Sequence, residues 1–103
     1  MSNTASTDIR QYELLYILQP NVEQTAMAEL TNRLTQAITG QQGEILGTEL
    51  WGKRNLAYTI QKYGTGHYVL HRFQMNPAGT AELDRLLRFN ENVIRYLIMR
   101  DDE

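Results

Sequence analysis

Apolar residues recur along this 103-residue chain with two different periods. In QYELLYILQ, residues 11–19, Tyr12, Leu14, Tyr16 and Leu18 fall on one side of an extended backbone, and Glu13, Leu15 and Ile17 on the other. Both sides are largely apolar, which predicts a central strand. Beyond Pro20, Met27, Leu30, Leu34 and Ile38 follow one another at helical spacings and form one stripe. Asn21 with Gln24 resembles a capping box at the start of that helix, and Gly40 fits a left-handed cap at its end. Alternation resumes from Gly43 to about Lys62 and again in HYVLHRFQM, residues 67–75, with YGTG (63–66) between them as turn chemistry. These two runs predict a long hairpin with a bulge near Gly52. Asn76-Pro77 is suited to opening a second helix, whose buried stripe is Leu83, Leu86, Leu87 and Phe89. NVIRYLIMR, residues 92–100, has the composition of a last strand.

The order β-α-β-β-α-β is the α+β, ferredoxin-like arrangement: a four-stranded antiparallel sheet in the order 4-1-3-2 with both helices on one face. The second strand is then an edge. One domain is expected over residues 10–100, preceded by a polar, flexible tail (1–9) and followed by a short acidic end (101–103). If the even-numbered residues of the first strand face the helices, Leu15 and Ile17 face away from them. The same alternation turns Tyr68, Leu70, Arg72 and Gln74 outward on the third strand, and Val93, Arg95, Leu97 and Met99 outward on the fourth. An uncovered apolar face of that size calls for a partner, unless the tail or the hairpin lies over part of it. A base-stacking RNA platform fits poorly, because the third strand offers only Tyr68 as an outward aromatic, the first offers Leu15 and Ile17, and aliphatic side chains stack weakly on bases.

Charge sharpens this picture. Ten Lys and Arg against twelve Asp and Glu leave a net charge of −2, which argues against a general nucleic-acid coat. From Leu50 to Ala81, however, Lys53, Arg54, Lys62 and Arg72 occur with two histidines and without a single Asp or Glu. Cations spaced along an extended hairpin can track a phosphate backbone. A competing explanation is that Lys53 and Arg54 discourage edge-to-edge pairing with another sheet.

Catalytic chemistry is missing by contrast. The chain has no cysteine, which excludes disulfides and thiolate nucleophiles and fits a reducing compartment. His67 and His71 lie about 13 Å apart at roughly 3.3 Å per strand residue, too far to share one metal ion; partly buried polar packing is the expected role. Glu82 and Asp84 suit dipole compensation early in a helix. No metal, cofactor or small-molecule substrate is expected. No apolar run approaches the roughly 20 residues of a membrane helix, so no membrane association is expected either.

GKRNLAYTI, residues 52–60, resembles the signature of the bacterial small-subunit ribosomal protein six family, and RQYELLYILQP, the GHYVL hairpin strand and RFNENVIRYLIMR resemble it in the same order. The likeness spans about Arg10 to Arg100. It implies a ferredoxin-like fold without enzymatic activity, in the cytoplasm on the ribosome, bound to the central domain of small-subunit ribosomal RNA together with ribosomal protein eighteen. Position by position it implies RNA contacts at Arg10, Lys53, Arg54 and Arg95; the acid-free stretch adds Lys62 and Arg72, and Arg88 is a further candidate. The outward residues Leu15, Ile17, Tyr68, Leu70 and Leu97 become the surface expected to bind the partner protein. Thr59 and Gln61 depart from the family pattern, as does the N-terminal tail. A second reading from a different class is a ferredoxin-like effector-binding module acting as a homo-oligomer.

Overall fold

The computed structural model describes residues 8–101. Most of the expected tail, and the last two residues of the acidic end, lie outside them. The elements are β1 (Arg10–Leu18), α1 (Gln24–Thr39), β2 (Glu44–Ile60), β3 (Tyr63–Met75), a 3-10 turn (Pro77–Gly79), α2 (Thr80–Arg88) and β4 (Val93–Arg100). The sheet runs β2-β3-β1-β4 with every neighbour antiparallel. This is the expected ferredoxin-like fold.

The even-numbered residues of β1 do face the helices. Leu14 pairs across to His71 and Ile98, and Tyr12 to Phe73, so their side chains share one side with Val69 and Met75. Against them pack Leu30, Leu34 and Ile38 of α1 and Leu83 and Leu87 of α2, all buried. Among the described residues, His71 is the one polar or titratable side chain buried in this layer besides its tyrosines. Its Nε2 meets the Tyr16 hydroxyl at 2.9 Å and its Nδ1 the Thr48 hydroxyl at 2.8 Å. That chain of contacts ties the central strand to the edge strand through the core, and both ring nitrogens are satisfied.

Several local expectations are corrected. α1 opens at Glu23 without a side-chain cap, two residues beyond Asn21, and the Asn21 N–H that a capping-box Gln24 would take is donated to Gln19 Oε1 at 2.7 Å. Gly40 keeps right-handed geometry at φ −67°, and the left-handed residue is Gln42 at φ 62°. Phe89 lies past the end of α2 with 74% of its surface exposed, outside the core stripe. The hairpin turn is Gln61-Lys62, both at positive φ, as a two-residue turn of the twist-matched kind requires. YGTG belongs to β3 instead. Gly66 there sits so close to β1 that a Cβ would come within 2.5 Å of Ile17 Cγ2. Other expectations hold: Gly52 adopts φ 83° at a register shift in β2, and Asn76 Oδ1 accepts from the Ala78 N–H ahead of α2.

Candidate partner and nucleic-acid interface

On the face away from the helices, register places Leu15 opposite both Leu70 and Leu97, and Ile17 opposite Tyr68 and Arg95. This patch is apolar because β1 is central and carries aliphatic residues on both sides. It is only partly bare. Between the pairs Asn55–Thr65 and Ile60–Tyr63, residues 56–59 of β2 stand opposite Gly64 alone. The surplus chain leans over the sheet, and Leu56, Ala57, Tyr58 and Ile60 form one wall of a groove of about 340 Å³. Leu15, Ile17, Tyr68, Arg95 and Leu97 form its floor and far side.

Four of the five residues expected to bind a partner therefore line one concavity. Leu97 is 54% exposed, and Leu15 and Tyr68 are half-buried. Ile17 and Leu70, at 8% and 7% exposed, are already largely covered within the chain, and Leu70 is not a wall of the groove. The open face is thus narrower than alternation alone implied, because the hairpin supplies its own cover.

The cations divide into two groups. Arg72 is held between Glu49 (2.8 Å) and Glu13 (3.2 Å) on neighbouring strands, and Glu49 chiefly holds its guanidinium charged above the usual arginine range. Glu49 in turn is pushed below the ordinary carboxylate range by the Trp51 indole N–H and by Arg72. Arg88 pairs with Asp84, which also accepts from the Tyr96 hydroxyl, and Arg10 pairs with Asp8. Lys53, Arg54, Lys62 and Arg95 form no ion pair among the described residues. Lys62 rides on the turn. Arg95 donates to the Tyr58 hydroxyl at 2.9 Å at the mouth of the groove.

Lys53 and Arg54 do not point the same way. Arg54 lies over the Trp51 ring at 5.1 Å, and Trp51 stacks on Tyr68 with centroids 5.8 Å apart, so all three occupy the open side. Strand alternation sends Lys53, paired with His67, toward the helix side. The two charges bracket the arm instead of forming one patch. Stacking on Trp51 restricts Arg54 while leaving its N–H edge able to take a phosphate in a forked contact.

Sequence reasoning missed Tyr58, Gln61 and Trp51, the residues that give this surface its shape. Among the described residues, no group of three or more His, Asp or Glu side chains is placed to hold a metal ion, and no helix is long and apolar enough to cross a membrane.

Residues 11–100 match the family model described as Ribosomal protein S6. The chain is 40% identical over 95 residues to the small ribosomal subunit protein bS6 of Moorella thermoacetica, covering 92% of this chain and 97% of that protein. To the protein of the same description from Halalkalibacterium halodurans it is 43% identical over 95 residues, covering 92% of this chain and all of that one. The crystal structure of 30S ribosomal protein S6 from Thermotoga maritima superimposes with a TM-score of 0.83 at 29% identity, over 92% of this chain and 90% of that one. The P2 domain of the chemotaxis kinase CheA from the same organism shares the fold alone, with a TM-score of 0.54 at 11% identity, covering 89% of this chain and 98% of that one.

Proposed function

This chain belongs to the ribosomal protein S6 family, and on that premise we propose that it binds the central domain of small-subunit ribosomal RNA jointly with ribosomal protein eighteen. As a family member it is a structural component of the small ribosomal subunit, associated with ribosomal RNA on the cytoplasmic ribosome, and not an enzyme. The single observation that carries the finer reading is the groove on the open sheet face. Its apolar residues Leu15, Ile17 and Leu97 share the groove with one cation, Arg95, which forms no ion pair among the described residues.

The partner protein docks on the groove, burying Leu97, Leu15 and Tyr68. The RNA backbone is contacted by Lys53, Arg54, Lys62 and Arg95. Arg10, Arg72 and Arg88 contribute only by exchanging a carboxylate for a phosphate, which returns less because the existing ion pair must be given up. Few free cations on a chain of net charge −2 make RNA binding by the chain alone weak. The partner's own surface then supplies much of the affinity.

Chemical footprinting of the ribosomal RNA tests this directly. Protection in the central domain should appear with both proteins present and be faint with this chain alone. Equal protection without ribosomal protein eighteen, or none with it, would overturn the joint-binding reading. A homo-oligomer that never co-sediments with small subunits would favour the effector-module class instead.

A further inference from the structure

The tip of the β2-β3 hairpin is fastened to β4, on the far side of the sheet from its own partner strand. β4 bulges where Ile17 pairs with Arg95 but Leu18 pairs with Val93, leaving Ile94 without a place in the ladder. The Gln61 side-chain amide donates to the Ile94 carbonyl oxygen at 3.2 Å. One residue further along β4, the Arg95 guanidinium donates to the Tyr58 hydroxyl at 2.9 Å. These two bonds span 33 and 37 residues of sequence and join the same two segments. Nothing in the backbone ladder would otherwise hold residues 56–59, because only Gly64 stands opposite them.

We propose that Tyr58 and Gln61 are positioning residues: their bonds to β4 clamp the hairpin tip so that the groove wall already exists before the partner arrives. The proposal rests on the reading of the open face as the docking surface. It also gives a role to Gln61, one of the positions at which the chain departs from the family pattern. An amide there donates to the carbonyl of Ile94, the residue that the β4 bulge leaves without a ladder partner, from a turn whose Gln61 and Lys62 both have left-handed backbone. Without the clamp the tip would sample open conformations, and only the closed fraction would accept a partner. Apparent affinity falls in proportion to that fraction, and the loss appears in association rather than dissociation.

The test compares the full chain with the double variant Tyr58→Phe/Gln61→Ala, and with Gln61→Lys, whose ammonium restores a donor to the Ile94 carbonyl. Amide hydrogen exchange of residues 56–64 is measured on the free proteins. Association and dissociation rates are measured against ribosomal protein eighteen. The expected result for the double variant is exchange at the tip faster by about ten-fold, with core amides at Leu14 and Phe73 unchanged. Association should slow by about ten-fold while dissociation changes less than about two-fold, and Gln61→Lys should stay near the parent in both. Unchanged tip exchange in the double variant would overturn the clamp. So would faster exchange with an unaltered association rate. If the parent chain does not bind ribosomal protein eighteen at all, the docking reading fails, and the exchange arm still decides whether the clamp exists.

Discussion

Lowering the pH from neutral should destabilise the fold through His71 before any surface carboxylate matters. Burial in the layer between sheet and helices pushes its imidazole from 6.5 down to about 4. The ring is held by the Tyr16 and Thr48 hydroxyls, both neutral, so neither offsets the charge of a protonated imidazole. Between these two values the unfolded chain carries a proton on this residue and the folded chain does not. Stability is therefore intact above about pH 6.5 and is lost as pH falls toward 4. Each pH unit in the window is worth about 1.4 kcal/mol, giving a loss of about 2 kcal/mol between pH 7 and 4.5 and about 3 kcal/mol in full. The assay is urea unfolding of the parent and His71→Gln at a series of pH values. Glu49, Glu82 and Asp84, whose carboxyls are held low by hydrogen-bonding partners, are common to both proteins and cancel in the difference. The parent curve should fall by about 2 kcal/mol more than that of the variant over this range. Parallel curves would refute the reasoning, as would a directly titrated imidazole with its midpoint near 6.5.

Removing both bracketing cations, Lys53→Ala with Arg54→Ala, should lower the salt slope of RNA binding in the presence of ribosomal protein eighteen by about 1.4 to 1.8; an unchanged slope means that the hairpin does not touch phosphate. Gly66→Ala drives a methyl group into Ile17 and to 2.9 Å from the Leu18 carbonyl oxygen, so thermal unfolding should show a loss of about 1–3 kcal/mol. Phe89→Ser should leave stability within about 0.5 kcal/mol in the same assay, because the ring projects past the end of α2 into solvent.

The periodic elements were legible because burial imposes period on sequence. Tyr12, Leu14, Tyr16 and Leu18 had to alternate to fill one side of the sheet, and Leu30, Leu34 and Ile38 had to share a helix face. Turns were harder to read. YGTG draws attention as a turn, yet its second glycine serves the close approach of β3 to β1, while the real turn uses Gln61 and Lys62 in a conformation that their side chains do not advertise. Which cations are free was equally hidden. Glu13 and Glu49 engage Arg72 only because three strands come into a particular register, and no spacing along the chain encodes that. The hairpin wall over the open face depends on Tyr58 and Gln61 reaching β4, contacts of long sequence separation that local pattern cannot reveal.

The dissociation constant of Leu97→Asp for ribosomal protein eighteen bears most directly on the docking surface. Leu97 is exposed on the groove and contributes little to the core, so the thermal midpoint should stay within about 4 °C of the parent. A carboxylate buried under the partner should weaken binding by at least about thirty-fold. An unchanged constant, with the fold intact, would mean that ribosomal protein eighteen does not sit on this groove.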